Sequence, residues 1–122
     1  MNTPISWFEL PTTDLARATA FYQKVFACQL HLETMGDIRM AIFPHDELSP
    51  GGALVAMPQM QPADNGTLVY LAAGDDLNTV LARIPAAGGQ VLMPKTDLGN
   101  DIGFIALFLD CEGNRVGLYS KH

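Results

Sequence analysis

Short runs in which apolar residues alternate with polar ones are interrupted twice by helical spacing. Ile5-Ser6-Trp7-Phe8-Glu9-Leu10 predicts a strand with Ile5, Trp7 and Glu9 on one face and Phe8 and Leu10 on the other. Pro11-Thr12-Thr13-Asp14 then predicts a helix start, with a threonine N-cap and an acid in the first turn. Leu15, Ala18, Tyr22, Val25 and Phe26 follow at helical spacing and give that helix one apolar face. Three strands are expected next, over 29–33, 38–43 and 53–57, separated by turn residues at Met35-Gly36-Asp37 and Ser49-Pro50-Gly51-Gly52.

The same order then returns. Thr67 to Leu71 predicts a strand, Gly74-Asp75-Asp76 a turn and cap, and Leu77, Val80, Leu81 and Ile84 one amphipathic helix ended by Pro85 and Gly88-Gly89. Strands are expected over 90–93, 104–109 and 115–119, with a turn at Asp110-Cys111-Glu112-Gly113-Asn114. Residues 94–103 predict a long polar loop and a mobile flap. Asp14-Leu15 recurs as Asp76-Leu77 about half a chain later, so the element order points to duplication. The chain divides into module one (1–58), a linker (59–66) and module two (67–122). The fold expected is α+β: two tandem βαβββ modules forming a curved, cup-like mixed sheet with helices on its outer face. The concave face is where a ligand would sit.

Composition narrows the function. With 122 residues, 48% hydrophobic and 16% charged, the chain fits one packed domain and argues against disorder. A net charge of −6 with scattered Lys and Arg disfavours nucleic acid. No apolar run reaches the roughly 20 residues of a membrane helix. Met1-Asn2-Thr3-Pro4 begins no secretory signal, so a cytoplasmic location is expected. Cys28 and Cys111 stand in no metal or redox spacing and read as reduced thiols.

Two stretches carry a specific resemblance. The opening, from Trp7-Phe8-Glu9-Leu10 through Asp14-Leu15-Ala16-Arg17 to Phe21-Tyr22, resembles that of a vicinal oxygen chelate domain. The closing stretch, Phe108-Leu109-Asp110-Cys111-Glu112-Gly113-Asn114-Arg115-Val116-Gly117-Leu118-Tyr119, is similar to that family's final hairpin, with Cys111 in place of a common proline. Together with the repeat, they mark a resemblance to the glyoxalase/bleomycin-resistance/dioxygenase group over essentially the whole chain. Enzymes of that group hold a divalent metal with His, Glu or Gln on the first and last strands of each module. The resemblance places the four ligand positions at Trp7, within Ala53 to Met57, within Thr67 to Leu71 with Leu68 or Val69 favoured, and at Gly117, four residues after Gly113. None offers such a ligand, so no metal and no other cofactor is expected.

Candidate residues follow from strand alternation. Trp7 could stack on a ligand ring or fill the place of the absent metal. Glu9, on the same face, could be a catalytic general base, an anchor for a cationic ligand, or a structural carboxylate that is solvated or paired with Arg115. Arg115, Gly117 and Tyr119 share a face of the last strand, with Gly117 leaving space and Tyr119 offering a hydroxyl, or pack as an ordinary strand. His45-Asp46-Glu47 reads as a solvated turn, His31 and Glu33 as a surface pair, and His122 as a frayed end. Cys111 has no clearly placed cation to activate it.

The leading expectation is a metal-independent binder of a small organic ligand, aromatic or cationic, held in the cup. The alternatives are a glyoxalase-like lyase or isomerase, or a dioxygenase, with unusual ligands or Glu9 as base, and an interaction module whose cup is filled by its own side chains. The exposed sheet edges, and the habit of relatives of this length, lead us to expect a homodimer.

Overall fold

A computed structural model describes residues 4–122; the reading of Met1, Asn2 and Thr3 as lacking a leader lies outside them. The elements run β1 (Trp7–Pro11), α1 (Leu15–Phe26), β2 (His31–Met35), β3 (Ile38–Ile42), β4 (Gly51–Ala56), β5 (Tyr70–Ala72), α2 (Leu77–Leu81), α3 (Ile84–Ala87), β6 (Gln90–Asp97), β7 (Phe104–Leu109) and β8 (Arg115–Ser120). They form two four-stranded mixed sheets of the same design, ordered β1-β4-β3-β2 and β5-β8-β7-β6. The first strand of each module lies parallel to the last, and the other pairings are antiparallel. The fold is therefore α+β, built twice, with open curved sheets. Among the described residues no helix is long and apolar enough to cross a membrane.

Helix α1 forms where the apolar stripe predicts it. Leu15, Ala18, Phe21, Tyr22 and Val25 are buried, each large one stabilising the fold by about 1.5–3 kcal/mol. Its cap differs from the expectation. Asp14, not a threonine, is the N-cap and accepts from the Arg17 N–H at 3.0 Å, and no acid lies in the first turn. The threonines are engaged elsewhere: Thr12 bonds the Val55 carbonyl through Oγ1 (3.0 Å), and Thr13 donates to Glu112.

The second helix is two short ones rather than one. Pro85 cannot donate to the Leu81 carbonyl, so α2 stops there, and the proline sits in the first turn of α3, where no donor is needed. The expected flap is also corrected. Residues 94–97 continue β6, and only 98–103 form the connection to β7. Pro94 is tolerated because β6 is an edge strand whose register shifts between Met93 and Thr96.

The helices and the inner faces of both sheets share one apolar core, in which Phe21 of α1 lies against Phe108 of β7 with ring centres 6.3 Å apart. Polar groups join the modules at the turn 110–114. Asp110, buried, accepts from the Tyr22 hydroxyl (2.8 Å) and from the Glu112 and Asn114 N–H groups (2.9 Å each). Asn114, also buried, donates to the Pro11 carbonyl (2.8 Å) and accepts from the Ala63 N–H (3.2 Å). Burial, reinforced by the Asp110 charge, pushes the Tyr22 phenol well above its ordinary pKa.

Glu112 makes a second clasp. Its side chain is 1% exposed and accepts from Thr13 Oγ1 (2.7 Å) and from the Thr13 and Asp14 N–H groups (2.9 and 2.8 Å), and pairs with Arg17 (3.2 Å). Burial alone would raise its pKa, but these donors outweigh burial and hold it below the ordinary value.

Two outcomes are expected. Asn114→Ala strips partners from the Pro11 carbonyl and the Ala63 N–H, and should cost roughly 2–3 kcal/mol in urea unfolding; an unchanged midpoint would refute its joining role. The lowered Glu112 pKa means its stabilisation is complete above the unfolded-state value, near 4.5, and is lost as pH falls through the folded-state value. Glu112→Gln should therefore flatten the fall in melting temperature below about pH 5.

Candidate functional site

Strands β1 and β5 lie at the ends of their sheets and share no ladder. Between these two edges is a partly open cavity of about 1030 Å³. Because the gap is not closed by hydrogen bonds, core residues Phe8, Leu10 and Leu71 show through as its floor. Trp7 and Glu9 reach it from module one, Tyr70 and Arg115 from module two, and His45 from the connection between β3 and β4.

Alternation places Trp7 and Glu9 together as expected, and the Trp7 indole N–H donates to Glu9 Oε2 at 3.2 Å. Trp7 is 41% exposed. Arg115 does not pair with Glu9. Its Nε donates to the Asp64 carbonyl at 2.9 Å, which ties the connection between the modules to β8.

Gly117 and Tyr119 fall elsewhere. Gly117 is buried and leaves no open space, because the Tyr70 ring lies so close that even a methyl there would collide with it. Tyr119 lines a separate, shallower pocket of about 470 Å³ with Tyr70, Ala72, Leu98 and Ile105, and its hydroxyl donates to the Ile102 carbonyl (2.5 Å).

Two cavity residues were not singled out from the sequence. His45 reads as part of a solvated turn, yet its ring covers Gly51, where a Cβ would meet it at 2.8 Å, and meets Trp7 edge-on with centres 6.0 Å apart. Its Nδ1 lies 3.2 Å from the Phe43 carbonyl. Tyr70 is the module-two counterpart of Trp7: Trp7 pairs with Gly51 across β1 and β4, and Tyr70 with Gly117 across β5 and β8. A signal existed in the repeat itself, an aromatic at the head of the first strand of each module.

The register also revises two central positions. The counterpart of Gly117 in β4 is Gly51, outside 53–57, and that of Trp7 in β5 is Tyr70, inside Thr67 to Leu71 but at neither of the favoured residues Leu68 and Val69. Trp7, Gly51, Tyr70 and Gly117 supply an indole, a phenol and two hydrogens, a donor set that does not fit a divalent metal held by His, Glu or Gln. Among the described residues no group of three or more His, Cys, Asp or Glu side chains is arranged to hold one. Cys111, half-buried, has its thiol pushed up to about 11 by burial and then by the Asp110 charge, so it is no nucleophile at neutral pH.

Comparison with known proteins adds the following. The profile of the Glyoxalase/Bleomycin resistance protein/Dioxygenase superfamily matches residues 5–118. "Putative glyoxylase CFP32" of Mycobacterium tuberculosis is 30% identical over 127 residues, covering 99% of this chain and 46% of that protein; the chain thus spans under half the length of that relative. A "Glyoxylase-like domain-containing protein" of Didymella fabae is 30% identical over 126 residues, covering 99% of this chain and 96% of its own. Among solved structures, TnmS3 of Streptomyces sp. CB03234, described as an antibiotic binding protein, superposes with a TM-score of 0.69 at 24% identity, covering 97% of this chain and 95% of that one. A glyoxalase I mutant of Zea mays gives 0.74 at 19% identity, over 97% of this chain and 47% of that one. At these identities the two structures speak to the fold alone.

Proposed function

The chain belongs to the Glyoxalase/Bleomycin resistance protein/Dioxygenase superfamily, and from that premise we propose that it binds a small aromatic cation between its sheets without a metal ion. The observation that carries this is the cavity of about 1030 Å³ with two half-exposed aromatic rings and one carboxylate on its wall. Its volume suits a molecule of drug size. The Trp7 and Tyr70 faces offer stacking and cation–π attraction. Glu9 keeps one oxygen, Oε1, without a partner among the described residues, and that oxygen would take the ligand's positive group. His45 and Tyr70 fill the recesses beside Gly51 and Gly117 but leave the rest of the cavity open, which disfavours a cup filled by its own side chains. The antibiotic-binding description of TnmS3 shows that this fold can serve binding.

The test uses chelator-treated protein and two ring systems of the same shape, 9-aminoacridine, a cation at neutral pH, and acridine, neutral there. Trp7→Ala should weaken both by about tenfold. Glu9→Gln should weaken 9-aminoacridine about tenfold and acridine less than about twofold. Neither dye binding, with zinc or nickel instead raising the melting temperature, would replace this reading with a metal-dependent one.

We also propose a two-fold homodimer. All five residues of β2 are exposed, Leu32 and Met35 among them, and β2 and β6 are the outer sheet edges. Sedimentation at micromolar concentration should give twice the chain mass; a monomer would refute it.

A further inference from the structure

Among the described residues, Tyr70 and Ala72 line both the 1030 Å³ cavity and the 470 Å³ pocket. The Tyr70 ring rests against Gly117 and borders both spaces. The two cavity aromatics are held differently. Trp7 is fixed by its hydrogen bond to Glu9 and by the edge of His45. The Tyr70 hydroxyl has no hydrogen-bond partner among the described residues, the ring is 43% exposed, and its seat is one glycine. No hydrogen bond holds the ring in place, and rotation about χ1 of an exposed side chain takes picoseconds to nanoseconds.

We infer that Tyr70 is a movable partition that sets ligand length: seated on Gly117 it confines a ligand to the larger cavity, and turned away it joins both spaces into one groove reaching Tyr119. This deepens the binding role proposed above and rests on it for its ligand, but the partition itself is a property of the ring and the glycine. It gives Gly117 a meaning other than free volume. The glycine is the seat that lets the ring approach β8 this closely, and any side chain there forces the ring off, because a turn of χ1 costs less than moving β8 within its ladder.

The experiment compares 9-aminoacridine with a bis-acridine in which two such rings are joined by a short alkyl chain, long enough to place one ring in each space. Gly117→Ala unseats the ring without removing it, Tyr70→Ala deletes it, and Tyr70→Phe keeps it. The ratio of bis-acridine to 9-aminoacridine affinity should rise about tenfold in the first two variants and stay within about twofold of the native ratio in the third. An unchanged ratio in both opened variants, or an equal rise in Tyr70→Phe, overturns the inference. A crystal structure of ligand-free Gly117→Ala decides independently: a displaced ring and one continuous cavity are expected, whereas a seated ring over a shifted β8 overturns the partition. If the native protein binds neither dye, the binding role fails and that structure alone still decides the partition.

Discussion

The pair Asp110 and Asn114 is the constraint on which the arrangement of the two sheets depends. Edges β1 and β5 have no ladder between them, so nothing in the strand pairing fixes how far apart they stand. The turn 110–114 does. Asn114 grips the end of β1 at Pro11 and the connecting chain at Ala63, and Asp110 holds the turn closed and takes the Tyr22 hydroxyl of α1. Glu112 adds the N-terminus of α1 from the same turn. Three polar side chains at alternate positions of one turn, Asp110, Glu112 and Asn114, thus tie β1, α1 and the connecting chain to the start of β8. A buried polar group with all its bonds made is rigid, and with any missing is costly.

That hub explains why a cavity survives at all. Two curved sheets with a shared core would gain by closing on each other, since burying the Trp7 and Tyr70 faces would remove apolar surface from water. The turn holds the edges apart instead, and Arg115, anchored on the Asp64 carbonyl, fastens the connecting chain alongside. The family's frame is kept, and where the first and last strands of each sheet pair, an aromatic stands opposite a glycine.

Much of the fold was legible because its signals are local. The stripe Leu15, Ala18, Tyr22, Val25 is buried as periodicity demands, and Phe104–Leu109 is a strand over the span its apolar run predicts. What was missed depends on partners distant in sequence. Asp14 caps α1 because the threonines before it are drawn to Val55 and Glu112. Pro85 ends one helix as expected but also sits in the first turn of the next, α3. In the site, Trp7, Glu9 and Arg115 reach one cavity, as alternation implies, whereas the space expected at Gly117 is taken by Tyr70, a residue visible as its neighbour only once β5 and β8 are in register. His45 hid in a polar triplet that has every mark of a solvated turn.

The larger core, to which both halves contribute, has a consequence for how the chain comes apart. Although its halves repeat, α1 packs on residues of both and is pinned at each end by the second: Glu112 at its start, and Arg83, donating to the Val25 carbonyl, at its finish. Neither half can lose its structure while the other keeps a complete interior. The repeated element order thus builds one interior, and a chain held together in this way is expected to unfold as one cooperative unit rather than half by half.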